Sequence, residues 1–250
     1  MTGENAGRFE GRVAVVTGAS SGLGQSVAQL LTAGGARVFG VGRDEERLKA
    51  TLNGPESGWL AADLADPATG DAVVRACTER FGGVDILVNA AGAHGMRHTG
   101  TLTDEEWQRD LAVNLSAPFF LSRAALPSLL ERGGCIVNVS SVAGLEGQAY
   151  SAGYCAAKHG LIGLTRAMAL EFDSRGIRIN AVCPGGMTTP MVQSFTFPED
   201  PDYTLIMKVA AARGLMDPVQ VANVIAFLCS DEASAVHGAI YTVDNGKMSL

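Results

Sequence analysis

The stretch that decides the fold is residues 13–24, which read VAVVTGASSGLG. A Val-rich run leads without a break into a turn with glycine at positions 18, 22 and 24, and an amphipathic helical segment follows. A strand, a glycine-rich turn and a helix in this order present backbone N–H groups and the positive end of a helix dipole to an anion. The pattern favours a dinucleotide-binding βα unit, although tight strand–helix turns also occur without a ligand.

Outward from this turn, the chain alternates β-rich runs with longer helical segments. The predicted strands are nearly continuous in apolar character, which is typical of parallel strands buried on both faces. They cover residues 13–17, 37–41, 58–61, 84–89, 135–140, 177–182 and 239–243. Strands alternating with helices indicate βαβ units with right-handed crossovers. We therefore predict an α/β fold, namely a single Rossmann-type doubly wound domain of about seven parallel strands with helices on both faces.

Helix start signals lie between the strands. Asp66-Pro67 and Asp217-Pro218 each place an N-cap residue before proline at the first helical position. Thr103, followed three residues later by Glu106, predicts a capping box.

Two long segments, 104–131 and 153–175, predict helices that cross the sheet, with a kink at Pro118 in the first. Residues 1–10 are polar and contain glycine, so they predict a flexible N-terminal tail. No repeat, low-complexity tract or linker divides the remainder. We expect one catalytic domain over residues 11–250.

Composition narrows the function classes. The 250 residues are 47% hydrophobic and 18% charged, which excludes a disordered or collagen-like chain. The net charge of −7 argues against a nucleic-acid or anionic membrane surface. There is no apolar signal segment, and no apolar stretch approaches the roughly 20 residues that span a bilayer. The five cysteines lack metal-ligand spacing, so we expect free thiols, no metal and a cytoplasmic protein.

The end of the second predicted strand bears on the choice of coenzyme. An NAD-binding site has an acidic residue here for the ribose diol, whereas this chain has Gly42 and then Arg43. Arg43 would attract a 2′-phosphate, so NADP(H) is favoured. NAD(H) stays possible, because Arg43 also suits the start of a solvated helix and Asp44 follows it directly.

A polar set after the fifth predicted strand points to proton transfer. Ser141 lies at the strand exit, and Tyr154 and Lys158 lie four residues apart on one face of the next helix. A neighbouring ammonium lowers the pKa of a phenol from its usual value near 10, which makes it an acid–base catalyst for a carbonyl or alcohol oxygen. Each residue alone is better explained by packing, solvation or turn formation, so the prediction rests on the set.

With these motifs in order over residues 10–246, the chain resembles the short-chain dehydrogenase/reductase family, including its 3-oxoacyl reductase-like and alcohol dehydrogenase-like members. TGASSGLG at 17–24 resembles the family's cofactor turn, AADL at 61–64 its adenine-contacting segment, and NAAG at 89–92 the motif that stabilises the central strand. Tyr154 and Lys158 resemble the YxxxK pair, and PGGMTT at 184–189 the segment at the nicotinamide carboxamide.

The resemblance implies residue roles. The implied cofactor-binding residues are Gly18, Ser20, Ser21, Gly22, Leu23, Gly24, Arg43, Asp63, Leu64, Asn89, Ala90, Gly92, Tyr154, Lys158, Pro184, Gly185, Met187 and Thr189. The implied catalytic residues are Asn114, which holds a proton-relaying water, Ser141, which orients the substrate oxygen, Tyr154, the general acid or base, and Lys158. Lys158 lowers the pKa of the tyrosine and binds the nicotinamide ribose. The resemblance also implies a homodimer or homotetramer through helices 104–131 and 153–175.

Residues 186–215 are expected to form a mobile substrate lid. Their apolar residues either line an adaptable pocket with an acidic outer rim or pack the lid onto the domain, and the two interpretations are evenly balanced. These residues are Met187, Met191, Phe195, Phe197, Tyr203 and Met207. His94 and His98 follow the NAAG motif beside the expected cleft, where an ordinary loop histidine is the favoured interpretation and contact with a polar substrate group the alternative.

These expectations lead to one function and two alternatives. The chain is expected to transfer a hydride between NADP(H) and a small-molecule ketone or secondary alcohol. A 3-oxoacyl-thioester reductase is the first alternative, which the acidic rim of the lid disfavours because carrier proteins are themselves acidic. The second is a non-catalytic NAD(P)-binding regulator, which the complete Ser, Tyr, Lys and Asn set disfavours.

Overall fold

The computed structural model describes residues 7–208, 210 and 213–249. Its centre is a sheet of seven parallel strands in the order β3-β2-β1-β4-β5-β6-β7, which confirms the predicted α/β architecture. The strands are β1 (Val13–Thr17), β2 (Arg37–Gly42), β3 (Ser57–Ala61), β4 (Ile86–Asn89), β5 (Cys135–Val139), β6 (Arg178–Pro184) and β7 (Ile240–Val243). The strand order reverses between the neighbours β1 and β4, so a crevice forms at their carboxyl ends.

Helices cover both faces of this sheet. They are α1 (Gly22–Ala33), α2 (Glu45–Thr51), α3 (Thr69–Phe81), α4 (Asp104–Leu111), α5 (Ala117–Arg132), α6 (Ala152–Glu171), α7 (Pro190–Gln193), α8 (Tyr203–Met207) and α9 (Pro218–Cys229). Short 3₁₀ turns span Thr99–Thr101, Val142–Gly144, Asp231–Ala233 and Lys247–Ser249.

Alternation along β1 divides the core into two layers. Ala14 and Val16 pack with side chains of α1 and α9, whereas Val13 and Val15 pack with side chains of α3 and α5 on the opposite face. All five residues of β1 are buried, as expected of a central parallel strand. The core therefore holds the carboxyl end of β1, and with it the glycine-rich turn, in a fixed position.

The predicted helix starts are correct in two cases of three. Asp217 and Thr103 both form capping boxes at the starts of α9 and α4. The Asp66-Pro67 prediction is wrong, because α3 begins only at Thr69. The Asp66 carboxylate instead accepts a hydrogen bond from the N–H of Ala68, 2.9 Å away, in the turn that precedes the helix.

The segment predicted to kink at Pro118 contains a π-helical stretch, Ala112–Ser116, between α4 and α5. Pro118 is the second residue of α5, which continues the π-helical stretch without a break. The wider turn before it relieves the clash of the proline ring with the carbonyl of Asn114, four residues earlier. This stretch places the buried Asn114 side chain beside the loop that follows β4.

The packed part of the domain starts nearer the N-terminus than predicted. Phe9, placed by sequence in the flexible tail 1–10, is 2% exposed, and its N–H donates to the carbonyl of Gly34. Residues 7–10 therefore pack onto the domain, while residues 1–6 lie outside the described part of the chain. Of the helices described, none is both long and apolar enough to cross a membrane.

Candidate active site

A cleft of about 330 Å³ opens at the carboxyl ends of the strands, where the strand order reverses. Most of the predicted site residues line it. These are Gly18, Ser20, Ser21, Gly22, Leu23, Gly24, Arg43, Asp63, Leu64, Ala90, Gly92, Ser141, Tyr154, Lys158, Pro184, Gly185, Met187 and Thr189. The tertiary structure thus brings together residues from six loops that are widely separated in sequence.

The glycine-rich turn has the geometry of an anion site. Gly22 has φ +54°, and a Cβ built on Gly24 would lie 2.4 Å from the carbonyl oxygen of Gly18, so helix α1 packs tightly on the end of β1. Ser21, the N-cap residue of α1, makes no side-chain hydrogen bond to the first turn of the helix. The first N–H groups of α1 therefore have no side-chain cap, which fits the pyrophosphate of a dinucleotide.

Two charged residues lie beyond this turn, where the ribose end of a dinucleotide would bind. Arg43 lines the cleft, is exposed, and has no hydrogen-bond or ion-pair partner among the described residues. Asp44 is the N-cap residue of α2 and accepts a hydrogen bond from the N–H of Arg47, 3.1 Å away. The acidic alternative considered for a ribose diol is therefore already used as a helix cap.

The Asp63 carboxylate at the end of β3 forms an ion pair that the sequence did not predict. Arg109 of α4 donates from both terminal nitrogens to its two oxygens at 2.9 and 3.2 Å, and the N–H of Ala65 donates as well. The hydrogen bond from Ala65, followed by that from Arg109, lowers the pKa of Asp63. Since Arg109 also lines the cleft, the pair joins the loop after β3 to helix α4 across its mouth.

The structure places Asn89 behind the cleft wall. Its amide nitrogen donates to the side-chain oxygen of Asn138 at 2.8 Å, and the two residues are register partners on β4 and β5. Asn89 is not among the residues that line the cleft. The geometry therefore supports strand stabilisation in place of the cofactor contact predicted for Asn89.

Asn114 also lies behind the wall, and its side chain is hydrogen-bonded to two residues. Its amide oxygen accepts from the N–H of Ala93 at 3.1 Å, and its amide nitrogen donates to the carbonyls of Ala93 and Asp110, both at 2.9 Å. These three bonds satisfy both amide protons and one lone pair of the amide oxygen. Asn114 therefore fixes the loop after β4, and its role in holding a water stays a prediction.

Ser141, Tyr154 and Lys158 converge on one side of the cleft. Ser141 Oγ accepts from the N–H of Ala143 at 3.1 Å, so its single proton can be donated to Tyr154 or to an oxygen in the cleft. Lys158 is buried, donates from Nζ to the carbonyl of Val139 at 2.9 Å, and has its Nζ 5.6 Å from the centre of the Tyr154 ring. The predicted i, i+4 pair thus shares one helix face, as expected.

The pKa values differ from the sequence expectation. Burial raises the pKa of Tyr154 to about 12, and a hydrogen bond with Ser141, rather than the Lys158 ammonium, is the strongest influence that lowers it. Burial also lowers the pKa of Lys158 to about 8. At neutral pH the phenol is therefore protonated, which suits it to donate a proton to a carbonyl oxygen.

His94 occupies a position in the site that its sequence context left open. Its ring stacks on Tyr154 with centroids 4.2 Å apart and planes at 17°, and the edge of Phe195 meets it at 4.9 Å. His94 Nε2 lies 2.9 Å from Ser151 Oγ. Burial, followed by the charges of Arg97 and Lys158, lowers the pKa of His94 to about 4. The ordinary-loop interpretation of His94 is therefore wrong, since the side chain lines the cleft.

The predicted lid divides into two parts. Met187, Met191 and Phe195 line the cleft, whereas Phe197, Tyr203 and Met207 are exposed on the outside. The first three support the pocket interpretation, and the other three support neither the pocket nor the packing interpretation. Within the predicted range 186–215, residues 209, 211 and 212 lie outside the described part of the chain.

The outer part of the lid contacts the loop that carries the two histidines. His98 Nε2 lies 2.7 Å from the carbonyl oxygen of Glu199, and Tyr150 Oη accepts from the N–H of Asp202 at 2.9 Å. The rings of His98 and Tyr150 also meet edge to face at 5.0 Å. His98 therefore contacts the lid, while His94 contacts the tyrosine.

Comparison with known proteins identifies the family. Residues 18–247 match the protein family described as enoyl-(acyl carrier protein) reductase. The chain is 40% identical over 245 residues to the 3-oxoacyl-[acyl-carrier-protein] reductase FabG of Vibrio cholerae, which covers 97% of this chain and 99% of that protein. The chain belongs to the short-chain dehydrogenase/reductase family. It is also 37% identical over 254 residues to levodione reductase of Leifsonia aquatica, with 96% and 95% of the two chains covered.

A solved member of the short-chain dehydrogenase/reductase family has the same fold. The crystal structure of 3-ketoacyl-(acyl-carrier-protein) reductase from Brucella melitensis, complexed with NADH, matches this chain with a TM-score of 0.87 at 33% identity. The match covers 96% of this chain and 99% of that one. The predicted family, fold and enzyme class are confirmed, and the chain is an NAD(P)-dependent oxidoreductase. In the described part of the chain, no three His, Cys, Asp or Glu side chains are arranged to hold a metal ion.

Proposed function

We propose that this oxidoreductase reduces a small-molecule ketone to a secondary alcohol with NADPH, and catalyses the reverse oxidation with NADP⁺. The observation that carries the proposal is the convergence of Ser141, Tyr154 and Lys158 on one cleft with an uncapped, glycine-rich helix start. When bound, the coenzyme supplies the hydride that adds to the carbonyl carbon. All other steps are assigned to side chains of this protein.

The proton follows a short path in the proposed reduction. Ser141 donates a hydrogen bond that orients the carbonyl oxygen, and the protonated phenol of Tyr154 gives its proton to that oxygen. The buried Lys158 ammonium lies beside the phenolate that remains and stabilises it until solvent returns the proton. Lys158 has two further N–H groups, which we assign to the ribose of the coenzyme.

We assign the remainder of the coenzyme to residues of the cleft wall. The N–H groups at the start of α1 would hold the pyrophosphate, and Arg43 would hold a 2′-phosphate. The preference for NADP(H) rests on the unpartnered Arg43 guanidinium and on the use of Asp44 as a helix cap. We assign Asp63, with Arg109 as its partner, to the adenine end of the coenzyme.

A 3-oxoacyl thioester is the second candidate substrate, because the chain is 40% identical to a reductase named for that activity. The charge of the lid disfavours a carrier-protein thioester. Glu199, Asp200 and Asp202 all lie on the lid, and Asp200 and Asp202 are exposed. An acidic rim would repel an acidic carrier protein, so a small-molecule ketone is preferred.

The test of the proposal is coenzyme oxidation by purified protein with ketones and with acetoacetyl-CoA. Tyr154→Phe removes the proton donor, and we expect a fall in kcat of at least about 100-fold with the NADPH Kd unchanged. Tyr203→Phe, a change on the exposed lid, is the matched control and should keep full activity. Turnover by Tyr154→Phe at the wild-type rate would contradict the proposal.

The coenzyme assignment has its own test. Arg43→Ala should raise the Kd for NADPH by about 10- to 100-fold and leave the Kd for NADH within about threefold, since a charge-assisted hydrogen bond contributes about 1.5–3 kcal/mol. Arg75→Ala, at an exposed position of α3, is the matched control. An unchanged ratio of the two affinities would rule Arg43 out as the selecting residue.

We also propose a homodimer or homotetramer formed through α5 and α6, and a cytoplasmic location. Phe119 on α5 is 39% exposed and Leu170 on α6 is 82% exposed, which leaves apolar surface on both helices. The five cysteines are all free, as a reducing compartment requires. Sedimentation of Phe119→Arg and Leu170→Arg variants tests the assembly, and both should shift toward monomer.

A further inference from the structure

The proposed reduction does not account for His94, a polar side chain in contact with the proton donor. Its ring lies flat against Tyr154 and lines the cleft. A residue in this place contacts whatever substrate presents its carbonyl to the phenol. The hydrogen bonds around the imidazole determine which chemical group it accepts.

The tautomer of His94 follows from its partner. Ser151 Oγ donates its single proton to the carbonyl oxygen of Ala149 at 3.2 Å. With this proton assigned to Ala149, Ser151 Oγ accepts from the imidazole, and we assign the proton of the 2.9 Å bond between them to Nε2. Nδ1 is then left with a lone pair, and no hydrogen-bond partner for it exists among the described residues. The ring is neutral at physiological pH, because its pKa is lowered to about 4.

Contacts with three other segments fix the position of the His94 ring. Asn114 binds both the N–H and the carbonyl of Ala93, the residue before His94. Tyr154 covers one face of the imidazole, and Phe195 of the lid meets the ring with its edge. These contacts and the bond to Ser151 fix the ring, so Nδ1 is a preorganised acceptor of a side chain that lines the cleft.

An acceptor in this position selects for a donor on the substrate. A hydroxyl one or two carbons from the carbonyl supplies such a donor, whereas a simple ketone or a 3-oxoacyl thioester has no O–H or N–H group so close to the reacting carbon. A substrate that placed an acceptor opposite Nδ1 would bind more weakly, because two acceptors cannot form a hydrogen bond with each other.

We propose that His94 is a specificity-determining residue that binds a hydroxyl of the substrate, so that this enzyme acts on hydroxy ketones in reduction and on diols in oxidation. This inference rests on the proposed function and narrows its substrate class. It also assigns Asn114 as the positioning residue of His94.

The test compares two substrates that differ by one hydroxyl, 3-hydroxy-2-butanone and 2-butanone. The wild-type enzyme should prefer the hydroxy ketone by at least about 10-fold in kcat/KM. His94→Phe keeps an aromatic ring for the stack and removes the acceptor. It should lower kcat/KM for the hydroxy ketone by about 10-fold or more and change that for 2-butanone by less than about threefold.

Two further variants separate recognition from folding. His94→Asn retains an amide oxygen near the position of Nδ1, so it should recover part of the preference that His94→Phe loses. Tyr203→Phe, at an exposed position of the lid, should leave both substrates unaffected. The melting temperatures of all variants are measured alongside, so that a general loss of structure is recognised.

Three results would overturn the inference. One is a wild-type enzyme without preference between the two ketones, and another is an equal loss on both substrates in His94→Phe. The third is turnover of acetoacetyl-CoA without turnover of the hydroxy ketone, which would leave the proposed reductase function standing. Wild-type protein that oxidises neither NADPH nor NADH with any of the three substrates would instead overturn the proposed function, and the inference with it.

Discussion

The two sides of the cleft are built in different ways. The coenzyme side centres on residues 13–24, where a strand, a turn and a helix follow one another in sequence and pack on each other directly. The substrate side is assembled by contacts between distant segments, such as Ala93 with Asn114, His94 with Ser151 and His98 with Glu199, which lie 21, 57 and 101 positions apart.

Because of this difference, the two sides of the cleft tolerate amino-acid substitutions differently. The contiguous βα turn is closely packed, and a methyl group added at Gly24 meets backbone atoms that cannot move aside. The substrate side depends on side-chain hydrogen bonds, so its residues can change one at a time with graded effects on activity.

The largest effect is expected from a substitution in the glycine-rich turn on the coenzyme side. Gly24→Ala would place a Cβ 2.4 Å from the carbonyl oxygen of Gly18 and 2.8 Å from that of Thr17. We expect a loss of at least about 2 kcal/mol in the free energy of unfolding and at least about 100-fold in NADPH affinity. Chemical denaturation and fluorescence titration measure the two quantities.

The control for this change is Gly100→Ala in the 3₁₀ turn Thr99–Thr101, where an added Cβ meets no atom within 4 Å. Alanine lowers the conformational entropy of the unfolded chain, so this variant should be more stable than wild type by up to about 1 kcal/mol. Wild-type coenzyme binding in Gly24→Ala would show that the close approach of α1 to β1 is dispensable.

A smaller effect is expected from Asn114, which holds the loop after β4 on the substrate side. Asn114→Ala removes the three hydrogen bonds to Ala93 and Asp110 and releases the loop that carries His94. We expect kcat/KM for the hydroxy ketone to fall by about 10- to 100-fold, while the NADPH Kd stays within about threefold of the wild-type value. Steady-state kinetics and coenzyme titration provide the comparison, with Asn53→Ala at an exposed loop position as the control.

An equal loss of coenzyme affinity in Asn114→Ala would count against the separation of the two sides. It would mean that the loop after β4 supports both of them.

The pH dependence of stability tests the buried charge between the two sides. Lys158 has a pKa of about 8 in the folded protein and 10.5 as its ordinary value. Between these values the unfolded chain holds the proton that the folded chain has released, so Lys158 contributes a rise of stability with pH, by up to about 1.4 kcal/mol per unit. Tyr154 and Cys77 contribute a fall over the same range, because burial raises the pKa of each to about 12. Urea unfolding at pH 8, 9 and 10 measures the slope.

Lys158→Met removes the titrating group, so stability should fall more steeply with pH in this variant than in wild type. A slope that is the same in wild type and in Lys158→Met would show that the ammonium is not destabilised by burial.

The smallest effect is expected at the outer lid. Tyr150→Phe removes the hydroxyl that accepts the N–H of Asp202, an exposed contact. We expect KM to rise by about two- to fivefold with kcat unchanged, because one exposed hydrogen bond contributes little more than about 1 kcal/mol. Tyr203→Phe, exposed on the same lid, is the control. A change in kcat would mean that this contact acts on the chemical step.

Much of the fold could be predicted from sequence because its determinants are local. The runs of Val and Ile gave strands within two residues of those observed, and Asp217 and Thr103 cap their helices as predicted. The glycine spacing at 18, 22 and 24 likewise predicted the close packing of α1 on β1. The start of α3 was missed because Asp66 caps a turn with the same side-chain chemistry that caps a helix.

The candidate site could be predicted only where a motif carries it. Tyr154 and Lys158 share a helix face by their spacing, and the loops at one end of a parallel sheet meet by topology. No local sequence pattern shows whether Asn114 holds the loop after β4 or binds a water. Nor does any local pattern predict that Arg109 pairs with Asp63.

The sequence by itself determined the family, the parallel sheet and the coenzyme turn, and it predicted Tyr154 as the proton donor, because each depends on residues that are neighbours along the chain. Only the tertiary structure decided that His94 stacks on Tyr154, that its Nδ1 is left as an acceptor, and that burial raises the pKa of the phenol. Those properties arise from distant segments that share a low-dielectric environment, and neither spacing nor composition encodes the distances involved.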